Sequence, residues 1–163
     1  MRANKMATRS NIAYKTIDGK IKSVYCHWDG YPEHNGEMLL RHYNTQEKVE
    51  ALIALGSISA LRPEIGQQHP FDRDYSNPEL PLTDNWTLAY HRDRGEELCI
   101  AEYDDVPSWI ADMEEYAYLW DGKDWIVNDH GKEASGFPVF DFVEVAQDKE
   151  VMKNMGWEDE AYA

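Results

Sequence analysis

A chain of 163 residues with 42% apolar side chains is long enough for one domain with a real core and too short for two comfortable ones. It has no run of about 18 apolar residues, which excludes a membrane-spanning helix. The formal net charge of −15 opposes the phosphate contacts on which most nucleic-acid affinity rests, so direct nucleic-acid binding is not expected.

The charge is uneven. Residues 1–24 carry a balance of +5, residues 25–100 of −7 and residues 101–163 of −13. The N-terminus lacks the apolar core of a signal peptide, which points to the cytoplasm. Met1–Lys5 read as a dispensable leader, with Met6 an equally good start. Cys26 and Cys99 sit in apolar, strand-like contexts and are expected to be reduced thiols. Neither has the spacing of a structural zinc site.

In chain order, 11–16 and 21–28 alternate around Asp18-Gly19, the strongest short-range hairpin signal. On the second of these strands Ile21, Ser23, Tyr25 and His27 share one face, and Val24, Cys26 and Trp28 the other. Asn35 is expected to cap a helix over 36–44. Thr45 caps a second helix over 46–56, with Gly56 at its left-handed end. Residues 62–84 hold four of the seven prolines and read as a long irregular loop. Strands are predicted at 86–90 and 97–103, with a polar turn at 91–96 between them and a loop at 104–109. A second hairpin, 115–120 with 125–128, turns at Asp121-Gly122-Lys123-Asp124. A last strand is predicted over 137–145 and a short helix over 147–156. The whole reads as a single α+β domain over 7–146, followed by an acidic helix and tail over 147–163. It is expected to be an antiparallel sheet of five or six strands with the two consecutive helices on one face.

The junction Cys26-His27-Trp28-Asp29-Gly30-Tyr31-Pro32-Glu33-His34-Asn35-Gly36 concentrates unusual chemistry. His27, Asp29 and His34 have residue types compatible with a metal or with general acid–base work, although their spacing is not diagnostic. The competing reading is a structural corner: Asp29-Gly30 turns, Pro32 aims the exit, Trp28 and Tyr31 pack, and Asp29 bonds local amides. His91-Arg92-Asp93 matches a kinase tripeptide, but Leu98 stands where the motif needs Asn, and no Gly-rich phosphate loop is present. No nucleophile elbow occurs, and His27 beside Cys26 on a strand points away from it.

The motifs Thr8-Arg9-Ser10, Cys26 through Glu33, Leu39-x-x-His42-Tyr43 and Lys48-Val49-x-x-Leu52-Ile53-x-Leu55-Gly56-x-Ile58-Ser59 carry a resemblance. Over residues 8–61 the chain resembles a group of small uncharacterised proteins of phage and bacterial genomes. The resemblance implies a phage-type accessory protein and transfers no activity and no catalytic residue.

Three functional readings follow. The first is a non-enzymatic protein, without cofactor or metal, that binds a host cytoplasmic protein with a basic surface, as an acidic inhibitor or nucleic-acid mimic. Its contact residues are expected to be Trp109, Asp112, Glu114, Glu115, Tyr118 and Trp157, aromatic anchors within an acidic rim. The second is a small-ligand-binding or metal-assisted hydrolytic protein with its site at the 26–36 corner. A structural or virion-associated role is a third.

Overall fold

Asp18-Gly19 reverses the chain as its chemistry demands. Gly19 takes φ +88°, and its N–H bonds Thr16 O at 2.9 Å. This joins β1 (Ser10–Lys15) to β2 (Ile21–Cys26) in the register Ser10↔Cys26 through Lys15↔Ile21. The computed structural model describes residues 7–129 and the two-residue strand Phe137–Pro138. The rest of the last strand expected over 137–145, the helix over 147–156 and the tail lie outside the described residues.

The remaining strands are β3 (Ile58–Ala60), β4 (Leu88–Ala89), β5 (Ala101–Tyr103), β6 (Tyr116–Trp120), β7 (Trp125–Asp129) and β8 (Phe137–Pro138). Seven of them run in the order β4-β3-β2-β1-β6-β7-β8, and β5 pairs with β2. The α+β class is as expected, but the sheet is mixed, not antiparallel, and has more than six strands. β1 lies parallel to β6, and the end of β2 lies parallel to β3 at Cys26↔Ile58. Hairpins announce themselves locally. A parallel pair joins segments far apart in sequence, and no turn chemistry signals it.

β1 therefore sits between two neighbours, and its alternate residues face opposite cores. Ile12, with Val24, Cys26, Tyr118, Trp120 and Val127, faces the helices that follow the corner. These are α1 (Glu37–His42) and α2 (Gln46–Ile53), which contribute Leu39, Val49, Leu52 and Ile53. Thr45 caps α2 by accepting the Lys48 N–H at 3.2 Å, and Gly56 takes φ +81°, both as the sequence predicts. On the other face, Ala13, Ile21, Ala117 and Leu119 receive Trp109.

Trp109 comes from α5 (Val106–Ala111), a helix in the stretch expected to be a loop. Asp105 caps it through Ser108 N at 2.9 Å, and Pro107 occupies its first turn, where a missing N–H costs nothing. The polar turn expected at 91–96 is instead α4 (Tyr90–Arg94), closed by Gly95 at φ +76°. The 62–84 segment is irregular as expected, apart from α3 (Leu80–Thr83). The strand expected at 97–103 is regular only from Ala101, and that at 86–90 only at Leu88–Ala89. Among the described residues no helix is long and apolar enough to cross a membrane.

Candidate functional site

The 26–36 corner is built around a close crossing of backbones. Asp29 takes φ +58°, a conformation that Asp tolerates better than most side chains. Gly30 follows, with its N–H on Thr8 O at 2.8 Å and its carbonyl accepting the Tyr118 hydroxyl at 2.6 Å. A Cβ on Gly30 would stand 2.8 Å from both Thr8 O and Ser10 Cβ, so the crossing requires glycine. Pro32 then opens a wide π-helical turn, Pro32–Gly36, that leads into α1. Asn35 is not the cap expected of it. Its side chain is buried, with Nδ2 3.3 Å from each of Ser10 Oγ, Cys26 Sγ and Trp28 O, where it satisfies polar atoms that the turn would strand inside.

The three candidate catalytic residues are each engaged by a different neighbour. The Tyr25 hydroxyl, which accepts from Arg9 Nε at 3.0 Å, donates to His27 Nδ1 at 2.6 Å. Asp29 Oδ1 accepts from the Tyr31 hydroxyl at 3.1 Å, and His34 Nδ1 donates to Asn35 Oδ1 at 2.9 Å. No hydrogen bond or ion pair joins His27, Asp29 and His34 to one another. Among the described residues, no three His, Cys, Asp or Glu side chains form a group that could hold a metal ion. The structural reading of the corner explains these contacts, with two corrections. The Asp29 carboxylate takes the Tyr31 hydroxyl and not a local backbone amide. Trp28 is not packed away: it is 43% exposed and meets the His27 ring edge-on at 4.6 Å.

Burial, and then the Arg9 charge, holds His27 below the usual histidine value of 6.5. Burial, with Arg41 and Lys48, does the same to His42. A depressed value favours the neutral ring in the folded state. The stability it contributes is therefore full above the unfolded value and is lost as pH falls through the folded one. Thermal unfolding followed from pH 7.5 downward is expected to show Tm declining below about 6.5, with a shallower decline in a His27→Gln/His42→Gln variant.

Beyond Tyr25 the edge of the sheet opens. β5 pairs with β2 at Ile21, Lys22 and Ser23, and β3 pairs at Cys26, which leaves Val24 and Tyr25 without a strand partner on that edge. A cleft of about 360 Å³ lies there, walled by Ser23, Tyr25, Ser57, Leu98, Cys99 and Ala101. The segment entering β5 lies directly on Gly56, where a Cβ would meet Leu98 Cδ1 at 2.7 Å and Cys99 O at 3.2 Å. Leu98 is 47% and Ile100 38% exposed. Glu96, Glu97, Glu102, Asp104 and Asp105 around them are exposed too. The two thiols differ accordingly. Burial pushes Cys26 up to about 12, while Cys99 is exposed. Native-state treatment with a maleimide is expected to add one label, on Cys99, and a second label only after denaturation, as read by mass spectrometry.

The expected partner-binding residues divide. Trp109 is 1% and Tyr118 0% exposed, so both belong to the cores and neither can anchor a partner on the folded protein. Asp112 and Glu115 are exposed and Glu114 is half-buried. Asp112 accepts from the Tyr103 hydroxyl at 3.1 Å, and Glu115 accepts from Arg9 N at 3.0 Å. Trp157 lies outside the described residues.

Sequence reasoning missed one polar centre. Asp93, whose side chain is fully buried, accepts from Arg92 Nε at 2.9 Å, Ala89 N at 2.8 Å and His69 N at 3.2 Å. His69 Nδ1 donates to Gln67 O at 2.7 Å, and its ring meets Trp86 edge-on at 5.4 Å. The signal is His91-Arg92-Asp93, which reads in sequence as a polar turn and a kinase-like tripeptide. The adjacent opposite charges instead fasten the proline-rich loop to β4. Compared with known proteins, the chain matches no family model, no curated protein and no solved structure.

Proposed function

We propose that this is a phage-type accessory protein without catalytic activity, acting in the host cytoplasm by binding a protein with a basic surface. The concrete form is inhibition of a nucleic-acid-handling factor whose basic groove accepts an acidic surface in place of its substrate. The observation that carries the reading is the exposed segment Glu96–Asp105. It holds Leu98 and Ile100 in solvent among five exposed carboxylates and contains no Lys or Arg. Tyr25, which walls the adjoining cleft, bonds His27, whose ring meets the exposed Trp28, and apolar side chains bounded by charge are the anatomy of a binding surface. This moves the anchors from Trp109 and Tyr118 to Trp28, Leu98 and Ile100. The competing reading, a ligand or metal site at the corner, loses support because His27, Asp29 and His34 are each engaged by a different neighbour and do not bond one another.

The test is affinity capture from host lysate at about 0.1 M and about 1 M salt, between which the Debye length falls from about 10 to about 3 Å. The expected result is a partner retained at low salt and largely lost at high salt. Trp28→Ala is expected to weaken that capture while leaving Tm unchanged. No capture, or capture indifferent to salt, would reject the proposal.

A further inference from the structure

We infer that the outer edge of β5, extended by Glu97–Ile100, is a docking edge for an extended basic segment of a partner protein, which joins the sheet as an added strand. The inference rests on the proposed binding role and names its surface and mode.

Three observations meet at this edge. The first is the availability of the backbone. His27 N–H bonds Ile58 O on the side of β2 away from β1, so by strand alternation Ser23 and Ile21 also turn their backbone groups to that side. They meet Ala101 and Tyr103 there, which spends the inward backbone groups of β5. Glu102, between them, turns its N–H and C=O outward, where no strand lies among the described residues. No backbone hydrogen bond ties Glu97–Ile100 to the other described residues either. Exposed edges of this kind are templates for strand addition.

The second observation is charge. Asp104 is bonded to Lys20, Asp105 caps α5 and Glu96 pairs with Arg94, but Glu97 and Glu102 have no cation within ion-pair distance among the described residues. A second copy pairing here would set carboxylate against carboxylate, whereas a segment bearing Lys or Arg would be matched. The edge thus discriminates against self-association and in favour of a basic strand.

The third is apolar area. Leu98 and Ile100 stand exposed along the edge, and the cleft of about 360 Å³ walled by Ser23, Tyr25 and Ala101 opens beside it. Backbone pairing supplies affinity in such a complex, and pockets for alternate side chains supply selectivity.

The experiment uses the full chain, isotope-labelled, and a short peptide of alternating Lys and Val. Two controls are the Glu-Val counterpart and the Lys-Val peptide with alternate backbone nitrogens methylated. The expected result is saturable binding of Lys-Val, with amide shifts and slowed hydrogen exchange confined to Leu98–Glu102. The methylated peptide is expected to bind about tenfold more weakly, because backbone donors are lost. The Glu-Val peptide should not bind. A Glu97→Lys/Glu102→Lys variant, both positions being exposed, should keep its Tm and bind Lys-Val at least about threefold more weakly. Labelling Cys99 with a bulky maleimide should block binding. Failure of Lys-Val to bind, equal binding of the methylated peptide, or protection located elsewhere would each overturn the inference. The two readings fail separately. Salt-sensitive lysate capture that Glu97→Lys/Glu102→Lys and Cys99 labelling leave intact removes strand addition and keeps the binding role. Peptide binding without any salt-sensitive partner does the reverse.

Discussion

Replacing Asp93 by Ala is expected to destabilise the protein by about 3–5 kcal/mol, the usual cost of removing one partner from a buried ion pair. The carboxylate has no exposure and accepts from two backbone N–H groups, Ala89 and His69, as well as from Arg92. Without it, the Arg92 guanidinium, only 16% exposed, would keep the carbonyls of Ile65 and Thr87 but lose its counter-charge. Asp93→Asn restores bulk but sets an amide N–H₂ against existing donors, so an intermediate loss is expected. The double variant Arg92→Met/Asp93→Leu should lie closer to wild type than Asp93→Ala, because removing both charges leaves neither buried alone. Urea unfolding with an unchanged m-value measures all three. Hydrogen exchange should show the loss first in 62–87, which the pair ties to β4. A cost below about 1 kcal/mol for Asp93→Ala would mean that the loop is held by something else.

Trp109→Ala is expected to cost a similar amount, about 3–5 kcal/mol, through the cavity it opens. The indole fills a hollow over Ala13 of β1 and Ala117 of β6, two of the smallest side chains in the sheet, beside Ile21 and Leu119. Its Nε1 donates to Ser23 Oγ at 2.9 Å, so the one polar atom of the ring is satisfied inside. Trp109→Phe retains most of the packing and loses that bond, and should cost about 1 kcal/mol beyond the smaller volume. The same variants separate a core role from an interface role. A Trp109→Phe protein, folded and slightly less stable, is expected to capture the partner as wild type does. If Trp109→Ala left stability within about 0.5 kcal/mol of wild type and abolished capture, the side chain would be a contact residue and the packing account would be wrong.

How far the sequence could be read depended on whether the determining partner lay nearby. Both hairpins were legible because Asp18-Gly19 and Asp121-Gly122 announce them, and Gly19 and Gly122 do take positive φ. Thr45 and Gly56 bounded α2 for the same local reason. The pairing of β1 with β6 was not legible: Arg9 and Glu115, which meet beside it, stand 106 positions apart. α5 was hidden by its own start signals. Asp105 and Pro107 are turn formers as well as helix openers, and only the receptive sheet beneath Trp109 decides between them. Aromaticity in an acidic stretch suggested anchors, but Trp109 and Tyr118 owe their types to the two cores. Trp28 sits in a turn whose neighbours demanded burial for Asn35 and Gly30 instead. At the corner, the turn chemistry of Asp29, Gly30 and Pro32 was legible, and the inward amide of Asn35 was not, because its need arises from Ser10 and Cys26.

The position of β1 at the centre of the sheet has a consequence for how the molecule is made. β1 and β2 leave the ribosome early and can close their hairpin within microseconds. The other edge of β1, with Ile12 and Ala13 along it, must wait until Tyr116–Trp120 has been synthesised. At about 5–20 residues per second that interval is several seconds, long compared with collapse. Throughout it the nascent chain presents an unpaired, apolar strand edge of the kind that chaperones recognise and that neighbouring chains can capture.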